Sequence, residues 1–97
     1  LTLPVVWLPE AHAELRQALA HYDAIRPELG SRFLLAVDET VEAISTQALR
    51  FAVVDKDRRR AGVRRFPYGI FFLAEETRVV VIACFHGKRN PSHWQER

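Results

Sequence analysis

One cysteine, Cys84, is all the thiol in this chain of 97 residues. Without a second cysteine an internal disulfide is excluded, and its place in the most apolar stretch reads as a small buried hydrophobe, not a reactive thiolate. Long apolar runs are also absent, since none approaches the roughly 20 residues that a membrane-spanning helix needs. No basic segment followed by a long apolar one marks the N-terminal region, and a cytoplasmic protein with no membrane partner is expected. Metal-ligand spacing is missing as well. His12 and His21 stand nine apart with no matching cysteine, whereas structural zinc requires closely spaced ligands, so neither a metal nor a cofactor is expected.

What the chain does hold is a composition that folds: 48% of residues are hydrophobic and 27% charged, the balance of a soluble globular domain, and one domain over residues 1–97 is expected. The charge is unevenly placed. Residues 1–57 carry nine carboxylates against five Lys or Arg, while residues 58–97 carry nine Lys or Arg against three carboxylates. That polarity suggests an anionic partner for the C-terminal part, nucleic acid or an acidic protein segment, with a solvated basic face as the alternative.

Leu3 to Leu8 is a short apolar run stopped by Pro9, whose fixed φ suits a first helical turn, so a strand leads into a helix. From Pro9 to Arg26, the positions Ala11, Leu15, Ala18, Leu19, Tyr22 and Ile25 fall on one face of a 3.6-residue period. Arg26 to Ser31 is expected to break the chain, through Pro27 and a turn at Gly30. A second helix then runs from about Ser31 to Gln47 on Phe33, Val37, Val41, Ile44 and Ala48, and the pair forms an antiparallel hairpin.

Leu49 to Arg60 lacks a period and is expected to be a charged loop. Ala61 to Phe66, Ile70 to Ala74 and Arg78 to His86 read as strands, with Pro67-Tyr68-Gly69 as an interruption and Glu75-Glu76-Thr77 as a hairpin turn. Strict alternation in the last strand points Val79, Val81, Ala83 and Phe85 one way and Val80, Ile82 and Cys84 the other. A helical hairpin covers only one face of such a sheet. The other needs the segment around Trp94 or a partner. The expected fold is α+β, β-α-α-β-β-β, with the hairpin on one face of a mostly antiparallel sheet. Its core is expected to include Val5, Trp7, Leu15, Leu19, Tyr22, Phe33, Val37, Val41, Ile44, Ile70, Phe72, Val79 and Val81.

Several features taken in order resemble the RelE/ParE toxin superfamily over essentially the whole chain. They are the Trp-containing first strand, the helical hairpin with Leu29-Gly30 and Phe33, Arg58-Arg59, Arg65-Phe66-Pro67-Tyr68, Val79-Val80-Val81, and His86-Lys88-Arg89-Asn90-Pro91-Trp94. The resemblance implies a small toxin of a bacterial type II system, with a role in plasmid stabilisation or growth inhibition. It implies too a cognate antitoxin that binds it as a hetero-oligomer, over Phe71, Leu73, Val80 and Ile82 on the face away from the helices. Such an antitoxin is expected to be acidic and apolar where it meets this chain.

Two kinds of toxin share that fold. RelE-like members cleave messenger RNA on the ribosome, and ParE-like members act on DNA gyrase without known catalysis. RNA cleavage through the 2′-OH needs a base, an acid and cations for the phosphate. Arg65, His86 and Arg89 are the candidate catalytic set. The chain departs from the patterns of RelE-like nucleases, however: its only lysines are Lys56 and Lys88, no tyrosine follows Tyr68, and the loop before the sheet offers Asp55 and Asp57 but no glutamate. The favoured reading is therefore a ParE-like, non-catalytic toxin. Its target- or nucleic-acid-binding surface would hold Arg58, Arg59, Arg60, Arg64, Arg65, Lys88, Arg89 and Trp94. A third reading is a module that only binds its antitoxin. The plain structural alternative for each residue is a strand-ending His86, an Arg65 paired to a helix carboxylate and a packed Trp94.

Overall fold

Proline at the first helical position opens both helices, where its missing N–H is no loss. The computed structural model describes residues 2–87. In chain order these form β1 (Val5–Trp7), α1 (Pro9–Ile25), α2 (Pro27–Gln47), a 3₁₀ turn (Ala48–Arg50), β2 (Val53–Asp55), β3 (Arg58–Gly62), β4 (Tyr68–Ala74) and β5 (Val79–His86). The helices form an antiparallel hairpin against one face of a five-stranded sheet with the order β1-β5-β4-β3-β2. Among the described strands only the β1–β5 pair is parallel. This is the expected α+β class. No described helix is long and apolar enough to cross a membrane.

The break between the helices is shorter than the sequence suggested. Arg26 alone joins them, extended at φ −170° and ψ 149°, because Pro27 restricts the residue before it and not those after it. Gly30 is consequently inside α2 and buried, without positive φ. Its role is closeness, not turning. A Cβ built there would sit 1.6 Å from Asp23 Oδ1 and 3.3 Å from the Asp23 Cα on α1.

The region expected to be a charged loop is largely sheet. Val53–Asp55 and Arg58–Gly62 pair as a hairpin, which adds a strand and puts the arginine triplet inside β3. Long aliphatic stems let arginine occupy a strand while the guanidinium finds its own surroundings. The strand expected from Ala61 to Phe66 instead ends at Gly62. Val63 to Phe66 then turn, with Phe66 N–H donating to Val63 O at 3.1 Å and Val63 N–H to Tyr68 O at 2.9 Å.

Strict alternation in β5 also fails. Phe71 faces Ala83 and Phe72 faces Val81, leaving Ile82 as the extra residue of a bulge. Two successive residues then share a face. Ala83 and Phe85 accordingly join Phe71, Val80 and Ile82 away from the helices, and Cys84 joins Val79 and Val81 beneath them.

The helix-side core holds all thirteen residues named from the sequence, either buried or packed at its margin, and adds Ala11, Ala18, Ala48, Ala61, Val63 and Cys84. At one end of it Tyr22, Phe33, Phe66 and Tyr68 form a ring cluster. Phe33 meets Tyr22, Phe66 and Tyr68 at centroid distances of 5.0, 5.1 and 5.3 Å. Such tilted and edge-on pairs add about 0.5–1.5 kcal/mol each beyond buried area.

Candidate functional site

Strand alternation divides the arginine triplet. Arg59 lies opposite Phe72, and its Nη1 donates to Phe51 O at 2.7 Å and Leu49 O at 3.2 Å. Those are carbonyls left open where the 3₁₀ turn ends, so Arg59 ties β3 to the end of α2. Its work is structural. Arg58 and Arg60 lie opposite Leu73 and Phe71 on the far face. Arg58 is largely buried and 3.8 Å from Asp57. Arg60 lays its guanidinium carbon 5.9 Å from the centre of the Phe71 ring.

Arg64 and Arg65 project from the exposed turn between β3 and β4. Arg65 holds a left-handed φ of 70°, which costs a residue with a Cβ about 1–2 kcal/mol. Near them α2 brings Arg32, and the three arginines with Leu35, Phe66 and Glu39 line a cleft of about 610 Å³. Sequence reasoning missed Arg32. It sits on an ordinary polar helix face, and only the tertiary approach of the turn gives it company.

His86 ends β5 opposite Tyr68, their ring centroids 5.5 Å apart at 73°. It lines a different cleft, of about 240 Å³, with Glu14, His21, Tyr68 and Cys84. Glu14 Oε1 accepts the Cys84 backbone N–H at 3.1 Å. Burial first, and the Glu14 charge second, push the Cys84 thiol up to about 12. Burial and the neighbouring Tyr68 likewise raise the Tyr22 hydroxyl above its ordinary value. Phe66 lines the first cleft with Arg65 and Tyr68 the second with His86, so Arg65 and His86 line different clefts.

Phe71, Val80 and Ile82 are brought together on the far face with Ala83 and Phe85, all buried, while Leu73 at the margin is half-buried. Lys88, Arg89 and Trp94 lie outside the described residues. No group of three or more His, Cys, Asp or Glu able to hold a metal occurs among the described residues.

The fold is thus a helical hairpin on one face of a β1-β5-β4-β3-β2 sheet, with arginines on the β3–β4 turn. It is similar to a solved structure described as the chromosomal ParDE TA system from P. aeruginosa, with a TM-score of 0.75 and 18% sequence identity, covering 88% of this chain and 96% of that one. No curated protein sequence matches. The family model for the ParE toxin of the type II toxin–antitoxin system parDE matches residues 5–91, and the chain belongs to that family.

Proposed function

We propose that this ParE-family toxin acts in the cytoplasm by binding DNA gyrase, without catalysing a reaction of its own, and that a cognate acidic antitoxin neutralises it. Beside family membership, one observation carries the non-catalytic reading. Arg65 and His86, the described members of the set that RNA cleavage would need, line separate clefts. General acid–base catalysis requires its groups within hydrogen-bond reach of one reacting centre. Recognition of a phosphate or carboxylate needs only fixed donors. Arg32, Arg64 and Arg65 supply these around an apolar floor, and Arg58 and Arg60 border the far face where the antitoxin is proposed to lie along Leu73. Phe71, Val80 and Ile82 back that margin.

The deciding experiment adds the purified toxin to a gyrase supercoiling reaction and, separately, to messenger RNA on ribosomes. Blocked supercoiling or gyrase-bound DNA breaks support the reading. Cleavage of the RNA that disappears in His86→Ala or Arg65→Ala, with the fold intact, overturns it in favour of a ribonuclease. Inactivity in both leaves the antitoxin-binding module.

A further inference from the structure

Three of the four glycines in the chain surround one side chain. Gly62 and Gly69 face each other across β3 and β4, and Gly87 follows β5. A Cβ built on Gly69 would lie 2.6 Å from Arg60 Nε and 2.9 Å from both Cζ and Nη2. One on Gly62 would lie 3.5 Å from Nη1, and one on Gly87 3.9 Å from Nη2. The guanidinium therefore rests flat on bare backbone, spread across three adjacent strands, with the Phe71 ring beside it. None of these glycines has positive φ. At Gly69 the guanidinium fills the space a side chain would take, whereas a Cβ at Gly62 or Gly87 would only touch it at ordinary contact distance.

The other two arginines of β3 are held: Arg58 stands beside Asp57, and Arg59 donates to two carbonyls. Arg60 is half-buried and has neither a hydrogen bond nor an ion pair to a described residue. Its faces are used and its N–H edges are not. A planar fork immobilised in this way has already lost most of its rotamer freedom, and it matches the two oxygens of a carboxylate.

We infer that Arg60, seated on the Gly62–Gly69–Gly87 floor, is the specificity-determining anchor for a carboxylate side chain of the antitoxin. This rests on the antitoxin reading above and not on the choice of gyrase as target. A peptide carboxylate is favoured over a nucleic-acid phosphate because Arg60 stands beside Phe71 on the sheet face that also carries the half-buried Leu73. Arg60 thus sits at the rim of an apolar patch, where interface charge fixes register. Leu73, the half-buried member of that face, offers apolar surface to a peptide side chain, and a phosphate backbone gains nothing from it.

The test measures affinity for the antitoxin co-expressed from the adjoining reading frame, with inorganic phosphate and a short DNA duplex as comparators. Variants are Arg60→Ala, Arg60→Lys, Arg60→Glu and Gly69→Ala. The last keeps the charge and unseats it, and it spares the sheet because the displaced atoms belong to the end of a flexible side chain. Expected are losses of roughly tenfold or more in Arg60→Ala and Gly69→Ala, a loss in Arg60→Lys because a point charge does not replace the fork, and the largest loss in Arg60→Glu. Antitoxin affinity within about twofold of wild type in Arg60→Ala and Arg60→Lys overturns the inference even if Gly69→Ala misfolds, since losses in a true anchor are of order tenfold. So does an effect confined to phosphate or DNA. A wild-type chain that binds no antitoxin overturns the antitoxin reading itself, a result distinct from tight binding indifferent to Arg60.

Discussion

Tyr68 and His86 face each other across the β4–β5 ladder, ring to ring at 5.5 Å and inclined at 73°. The contact packs the imidazole at the end of the last described strand, in the cleft lined by Glu14 and His21 and not the one lined by Arg64 and Arg65. For a toxin acting by occupancy, His86→Ala should inhibit gyrase supercoiling within about twofold of wild type. Removal of a working general base costs about 10²–10⁴ in rate. A titration of supercoiling inhibition by the two proteins separates these outcomes.

The left-handed φ at Arg65 sets stability against binding. Arg65→Gly should raise unfolding free energy by about 0.5–1 kcal/mol, the relieved backbone strain being partly offset by chain entropy. It should also weaken inhibition, because a cation of the cleft shared with Arg32 and Arg64 is lost. Urea denaturation and the supercoiling assay on one preparation would read both. Reduced stability would count against the strain.

At the helix crossing, two substitutions of Gly30 should diverge. Alanine gains up to about 1 kcal/mol of helix propensity, which offsets rotation of the exposed Asp23 side chain, and should be close to neutral. Alanine's Cβ already meets the α1 backbone at 3.3 Å from Asp23 Cα, and the two further methyl groups of valine press on it, which should cost about 1–3 kcal/mol. Denaturation midpoints of the two variants check the contrast.

Cys84 should resist thiol reagents in the native protein at pH 8 and react on unfolding, since burial and Glu14 hold its thiol up to about 12 from an ordinary 9.0. The folded state keeps the proton that the unfolded chain gives up. The stabilisation is therefore complete below pH 9.0 and is lost as pH rises toward about 12. Cys84→Ser should remove that alkaline dependence, measured as unfolding free energy against pH.

How much was legible in the sequence follows from where phase information exists. Ala11, Leu15, Ala18 and Tyr22 repeat on a helical period against polar neighbours, so α1 and its buried side could be read directly. Val79 to Phe85 has no polar residue to mark a face, so an extra residue at Ile82 left no trace and the phase of Ala83 to Phe85 was misjudged. The arginine triplet misled for a different reason. Composition described Arg58 to Arg60 as loop, whereas the partners that keep them in a strand, the Leu49 and Phe51 carbonyls and the glycine floor, come from elsewhere in the chain. The basic surface was expected as a region. Its division into a structural Arg59, a seated Arg60 and a cleft completed by Arg32 is tertiary information.

The parallel pairing of β1 with β5 has a consequence in time. Val5 to Trp7 leave the ribosome well before their ladder partners Val79 to Val81. Until those partners emerge the N-terminal strand has no neighbour among the described strands, of which β5 alone pairs with it. Closing so distant a pair is a slow, entropically costly step, and it comes late. The sheet that seats Arg60 and backs both clefts is thus assembled only once β5 has been made. A nascent fragment lacking β5 presents neither surface, so the capacity to harm and the capacity to be neutralised arise together in the same event.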